Sequence, residues 1–360
     1  MRRNHEQLQI SASRQAFTLV EMLIVCAIII ILAVLTLIVV NKVMTSAKET
    51  KTRATIQKLD VAMQQIFETY DEKFHSIKKK VNVKYPEPQF DEEERQKKIA
   101  THFIRDLMRM EMPQSWAEVY NSKEPDKKLG PIKIEIDGTS YAVDESPVLE
   151  YYWQAYNKVA AGKTPSRAAL LFLIIQNLNP EALEAFHGSE IKYNEEDGLF
   201  EFVDAWGKPI YFLRWAPAFP GSDLQPDVLA LAKYFPTTNG DTNRAWWNRA
   251  WWKNEDQKNE LLSDAMARAS ADYPDPFDER ANSTGWFLYP LIYSAGPDGK
   301  YGITSEEEDK DTKQLKSPTV EAGGILDPFA FPYGMPGDFD GNGKLNHFDN
   351  IHNHRWYKSF

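Results

Sequence analysis

From Phe17 to Val40 every residue is apolar except Thr18, Glu21 and Thr36. As a helix rising 1.5 Å per residue, such a run reaches roughly 36 Å, enough to cross a bilayer core of about 30 Å. Beyond it the apolar positions thin to Ile56, Leu59, Met63, Ile66, Tyr70, Phe74 and Ile77, three or four residues apart. That spacing draws one stripe along an amphipathic helix, of the kind that turns to a core. No proline falls within residues 17–84. The pattern therefore predicts one long helix, apolar all round in its first half and one-sided in its second.

Pro86 and Pro88 end that helix, and Asp91 to Met112 then carries Ile99, Phe103, Leu107 and Met110 at helical spacing. Ile132, Ile134 and Ile136 alternate with polar residues, Asp137-Gly138 supplies a turn, and Tyr141 and Val143 return, which predicts a hairpin. Further helices are expected from Val148 to Val159, from Ser166 to Leu178 after the start signal Thr164-Pro165, and from Pro180 to Phe186. Strand-like runs follow at Leu199 to Val203, Ile210 to Trp215 and Trp286 to Ser294.

Composition supports a folded body: 42% hydrophobic, 12% aromatic and 26% charged residues argue against wholesale disorder. The mean hydropathy of −0.51, despite the apolar run, marks a polar body with one membrane segment. The net charge is −10, and Glu306, Glu307, Glu308, Asp309, Asp311, Asp338, Asp340 and Asp349 gather late in the chain. That balance disfavours nucleic-acid phosphate as a partner and suits divalent cations. The single cysteine, Cys26, excludes an intramolecular disulfide.

Sixteen mostly polar residues with Arg2, Arg3 and Arg14 precede the apolar run, and the small residue Ala16 stands before it, not after it as in an ordinary secretory signal. Glu21 is a lone carboxylate inside the hydrophobic helix, a costly placement that is functional by default and needs a partner. A cut between Ala16 and Phe17 would supply one, the new amino terminus of Phe17. Gln15-Ala16-Phe17-Thr18-Leu19-Val20-Glu21 resembles the processing site of type IV prepilins and pseudopilins, with Ala16 where that family usually has glycine. The resemblance implies a leader over residues 1–16, cleavage before Phe17 by a cytoplasmic-face prepilin peptidase, and methylation of the Phe17 nitrogen. It also places the head in the periplasm or on the cell surface, an orientation that Lys42, Lys48, Lys51, Arg53 and Lys58 after the run do not themselves favour.

Asp204-Ala-Trp206-Gly207-Lys-Pro209-Ile-Tyr211 and Tyr293-Ser-Ala-Gly296-Pro-Asp298-Gly299 resemble segments of the major pseudopilin of type II secretion. In that family the loop after the second segment binds calcium. Asp298 matches its loop aspartate, and Glu306, Glu307, Glu308 and Asp309 crowd the region of its second acid. Independently, Asp338, Asp340, Asn342, Lys344 through its carbonyl, Asn346 and Asp349 fall at the ligand positions of a twelve-residue calcium loop, with Gly343 at its turn. Asp349 stands in for the usual glutamate, as in dockerin-like loops. A hard cation needs six to eight oxygens, and His347, His352 and His354 nearby do not outweigh the oxygen donors.

The clearest repeat is Asn243-Arg-Ala-Trp-Trp247 followed by Asn248-Arg-Ala-Trp-Trp252. On a helix Trp246, Trp247, Trp251 and Trp252 spread over roughly 240°, too wide for one buried face, so some rings are expected to be exposed or to meet a partner, the alternative being that they pack a local core. No G-x-S-x-G, H-E-x-x-H, Walker loop or cysteine pair is present, and no enzyme is expected.

The expected architecture is an α+β, pilin-like fold: a long N-terminal helix, a small antiparallel sheet on its outer half, and helical insertions. After the leader come a filament-core helix (17–40), the head helix (41–85), a mainly helical insertion (86–190), sheet segments (191–215 and 285–335), a Pro- and Trp-rich insertion (216–284) and a calcium-loop tail (336–360). The resemblance implies a single-pass inner-membrane subunit of a type II secretion-like pseudopilus, partnered by other pseudopilins, prepilin peptidase and an inner-membrane secretion platform. A type IV pilus or DNA-uptake subunit, a surface-binding module using the Trp repeat, and an anchored hydrolase are the alternatives.

Overall fold

The computed structural model describes residues 19–84, 90–121, 124–136, 138–159, 163, 165–216, 219, 290–303, 334 and 350–354. The chain divides into two compact units, Met1–Ala47 and Lys48–Phe360. The helix α1 (Leu19–Lys84) holds neither glycine nor proline, as its unbroken pattern anticipates. In the first unit its described side chains, Thr45 apart, are exposed on every face. Leu19 is 80% exposed and Ile30 63%, and an 18-residue window of mean hydropathy 3.6 has none of its residues buried. Length and composition there are those of a membrane span.

The second unit continues with α2 (Phe90–Glu111), a 3-10 turn at Trp116–Glu118, and the strands β1 (Tyr120–Asn121), β2 (Glu124–Lys128), β3 (Ile134–Ile136) and β4 (Thr139–Tyr141). Helices α3 (Val148–Lys158) and α4 (Ala168–Leu178), a 3-10 segment at Pro180–Ala185, and β5 (Ile191–Asn194), β6 (Leu199–Phe202), β7 (Tyr211–Leu213), β8 (Leu291–Ser294) and β9 (Ile351–His352) complete it. This is the α+β mix of a pilin-like fold.

The apolar stripe of α1 organises the core. All seven stripe residues from Ile56 to Ile77 are at most 9% exposed. One cluster joins them to Ile104 and Met108 of α2, Tyr152 of α3, Ile174 of α4, Phe202 of β6, Phe212 of β7, Ile292 of β8 and Ile351 of β9. The described helices α2, α3 and α4 thus share their core with α1 and the strands. Each large apolar side chain so enclosed contributes about 1.5–3 kcal/mol relative to exposure.

Several elements differ from the pattern. In α2, Ile99 and Met110 are buried as the spacing implies, but Phe103 and Leu107 are only partly covered while Ala100, Ile104 and Met108 lie fully inside. The helix is covered on a face wider than a single stripe. The hairpin β3–β4 forms as expected, with Ile134 opposite Tyr141. The pair β1–β2 has no apolar alternation, Glu-Pro-Asp-Lys-Lys forming β2, and is closed by the Leu129 N–H donating to Val119 O at 2.8 Å. Proline at the start of residues 180–185 is accommodated by 3-10 geometry in place of an α-helix.

Two antiparallel sheets follow. β5 pairs with β6, and β7, β8 and β9 lie in sequence order. A bridge between Val203 and Pro209, with the Ile210 N–H donating to Phe202 O at 2.8 Å, links the hairpin to the three strands. A buried ion pair ties this sheet to the helical region. Glu118 accepts from both terminal nitrogens of Arg214 at 2.8 and 2.7 Å and from the Gln114 N–H at 2.8 Å.

Candidate functional site

Glu21 lies in the first turn of α1, where the positive end of the helix dipole favours a carboxylate. It is the only charged residue from Leu19 to Asn41. Thr36 satisfies its hydroxyl within the helix, donating to Leu32 O at 2.7 Å. The remaining surface is an apolar sleeve, far larger than the patch a monomeric soluble protein exposes. Such a sleeve can be covered by lipid or by other apolar helices. Ala16 and Phe17 lie outside the described residues.

The two motif segments of the head meet at one carboxylate. Asp204 Oδ1 accepts from the N–H groups of Trp206 and Lys208 at 2.8 and 2.9 Å, which closes the turn that Gly207 completes with φ of 78°. Its Oδ2 accepts the Ser294 hydroxyl at 2.6 Å, and Ser294 Oγ in turn accepts the Gly296 N–H at 3.1 Å. Tyr211 stands opposite Tyr293 in the β7–β8 register. Tyr301 donates its hydroxyl to Pro209 O at 2.6 Å, and burial, reinforced by Tyr211 and Tyr293, pushes its pKa far up, so it stays a donor.

This clasp is fastened to α1 at two points. The Ala205 N–H donates to Thr52 Oγ1 at 3.1 Å. Asn353 donates to Asp60 Oδ1 at 2.7 Å while its own carbonyl accepts from the Ile292 N–H at 2.9 Å. A third tie binds the base of β5: Glu190 accepts from the Thr55 hydroxyl at 2.6 Å and from Lys58 at 3.0 and 2.9 Å. Burial works to raise the Glu190 carboxyl, but the His187 N–H, Thr55 and Lys58 together hold it below the usual range. Thr52 and Thr55 had a signal in the sequence, as polar residues abutting the buried stripe. Asn353 had none.

Asp298 is exposed and accepts the Lys300 N–H at 2.8 Å, an Asx turn at the start of the expected calcium loop. Glu306, Glu307, Glu308 and Asp309 lie outside the described residues, as do Asp338, Asp340, Asn342, Lys344, Asn346 and Asp349. Among the described residues no group of three or more His, Cys, Asp or Glu side chains could hold a metal ion. Trp246, Trp247, Trp251 and Trp252 also lie outside the described residues.

Residues 11–37 match the family model described as the prokaryotic N-terminal methylation motif. No curated protein and no solved structure matches the chain. The matched segment spans the Gln15-to-Glu21 run and most of the apolar sleeve. The chain therefore carries a type IV prepilin-like N-terminus, the mark of a prepilin-peptidase substrate anchored by a single apolar helix and built to join pilus-like filaments.

Proposed function

We infer that the protein is a structural subunit of a pseudopilus in a type II secretion-like machine, cut before Phe17 and assembled through α1 with its head on the periplasmic side. The observation that carries the secretion reading over a pilus is the clasp: D-x-W-G-x-P-x-Y and Y-S-x-G-x-D-G, both of which resemble the major pseudopilin, close on each other through Asp204 and Ser294. Its partners are then other pseudopilins, the prepilin peptidase and the inner-membrane platform. The role is one of assembly and not of catalysis. Calcium belongs to the same reading, since carboxylate, amide and backbone oxygens in the two candidate loops are donors for a hard cation.

Expression in one host lacking its own major pseudopilin, and in another lacking its major pilin, tests the assignment. Restored secretion in the first alone is the expected result. Restored pili in the second alone would replace the secretion reading with a pilus one, and N-terminal sequencing that finds no cut before Phe17 would remove both.

A further inference from the structure

The chain as a whole is acidic, but the stretch that tethers the head to the apolar sleeve is basic. Residues 41–58 carry Lys42, Lys48, Lys51, Arg53 and Lys58 against Glu49 alone, in a chain whose net charge is −10. Val43 and Met44, both exposed, are the last large apolar residues of the sleeve. Lys48 follows Met44 by four residues and Lys51 by seven, about 6 and 10 Å of helical rise.

Two loops of the head come to the same part of α1. The turn at Asp204–Lys208 meets it at Thr52 through the Ala205 N–H, one turn after Lys48 and on the same side of the helix. Lys208 in that turn is exposed. The loop at His187–Ser189 meets α1 at Lys51, which donates to Ser189 Oγ at 3.0 Å, and its three residues are exposed. The acids of these loops are withdrawn from the surface. Asp204 is 3% exposed with both oxygens accepting hydrogen bonds, and Glu190 is 3% exposed and held by Thr55 and Lys58. Glu49 and the exposed Asp298 remain, outnumbered by the lysines.

We propose that Lys48, Lys51 and Lys208 form a contact surface for the anionic phospholipid headgroups of the bilayer that α1 enters. Charge on a bilayer surface is screened over about 8 Å at physiological salt, so lysines tethered this close to the span feel it. An ammonium group on a flexible stem offers three donors to phosphate oxygens. The acidic head of a neighbouring copy has matching charge too, but the short tether keeps these lysines beside the headgroups whatever the subunit's neighbours are. The contact rests on the membrane span alone and holds for a secretion or a pilus filament. It grips the unassembled subunit, and entry into a filament must break it.

The test uses the full chain with Cys26→Ser and one fluorescent label at Gly188→Cys, where an added Cβ meets nothing within 4 Å. The chain is reconstituted at low density in phosphatidylcholine vesicles, with or without phosphatidylglycerol, that carry a neutral lipid with a quencher on its headgroup. Quenching at least about twofold stronger with phosphatidylglycerol is expected, and its loss at 1 M salt, where screening acts within about 3 Å. Lys48→Gln combined with Lys208→Gln should abolish the difference, and Lys48→Arg combined with Lys208→Arg should keep it. A label at the exposed Tyr151→Cys should not respond to lipid charge. Its neighbour Tyr152 binds Glu111, which Tyr70 and Lys73 hold about 30 Å further along α1. Equal quenching in both vesicles, or a difference that the glutamine pair leaves intact, would overturn the proposal. So would quenching that follows protein density and not lipid charge, which would assign the lysines to a neighbouring head.

Discussion

Asp204 accepts the Ser294 hydroxyl at 2.6 Å across the sheet, which makes one carboxylate the meeting point of two segments ninety residues apart. Asp204 is 3% exposed and Ser294 fully buried. Asp204→Ala would leave the N–H groups of Trp206 and Lys208 and the Ser294 hydroxyl without their acceptor. The Ser294 hydroxyl is fully buried and the two N–H groups part-buried, and a stranded buried polar group costs about 1–3 kcal/mol. A loss of roughly 3 kcal/mol is expected in thermal or denaturant unfolding, with a smaller loss for Ser294→Ala. A neutral Asp204→Ala would mean that the clasp is incidental.

The pair Arg214 and Glu118 predicts non-additivity. Arg214 is 1% exposed and Glu118 3%. Removing one partner leaves the other charge buried and uncompensated, at about 3–5 kcal/mol. Glu118→Gln should fall in that range, whereas Glu118→Gln combined with Arg214→Met should lose less than the sum of the single changes. Strict additivity in the double-mutant cycle would argue against direct coupling.

Two carboxylates give opposite pH dependences. Glu190 has its folded pKa lowered, so its contribution is present above the unfolded value and disappears as pH falls through the folded one. Glu201 has its folded pKa raised, chiefly by burial with Asp197 adding to it, so its contribution is present at low pH and declines as pH rises through the folded value. Melting temperatures from pH 3 to 7 should show Glu190→Gln most damaging at pH 7. Glu201→Gln should be relatively more favourable at pH 7 than at pH 3. The reverse order for either variant would contradict its assigned shift.

Glu21→Val tests assembly separately from insertion. The variant should enter the membrane as the native chain does, because the substitution removes the single charge of the sleeve. It should not be recovered in sheared filaments. Recovery at native levels would deny Glu21 a part in assembly.

Calcium binding by the detergent-solubilised chain would raise its melting temperature, since a ligand of the folded state contributes RT ln(1 + [L]/Kd), about 2.7 kcal/mol at a hundredfold excess over Kd. Calorimetric titration, repeated with Asp338→Ala and Asp340→Ala together, separates the two loops. No uptake by the native chain would dismiss both, and unchanged uptake by the double variant would dismiss the loop at Asp338–Asp349 alone.

What the sequence made legible follows from period. The α1 stripe needed no tertiary information, because seven residues at helical spacing have one face to offer a core. The β3–β4 hairpin was equally plain from Ile134, Ile136 and the turn at Gly138. In contrast, β2 reads as a polar loop, since its pairing with β1 rests on backbone groups that Glu, Pro, Asp and Lys do not advertise. Ile104 and Met108 fall outside the single stripe that Ile99, Phe103, Leu107 and Met110 predict, because the helix is covered on a wider face. At the N-terminus, Glu21 was conspicuous by its cost in an apolar setting. The ties from Thr52 and Asn353 are long-range hydrogen bonds with no local signature beyond a polar residue near an apolar row.

Gly334 has φ of +86°, and a Cβ there would meet Phe219 Cβ at 2.9 Å and Ala216 Cβ at 3.1 Å, so no other residue fits without displacement. The Phe219 ring packs edge-on against His352 at 4.8 Å. Phe219 thus lies against Gly334 on one side and His352 on the other. It joins Gly334 to β9, so a bulkier residue at position 334 would displace the ring and be felt at His352.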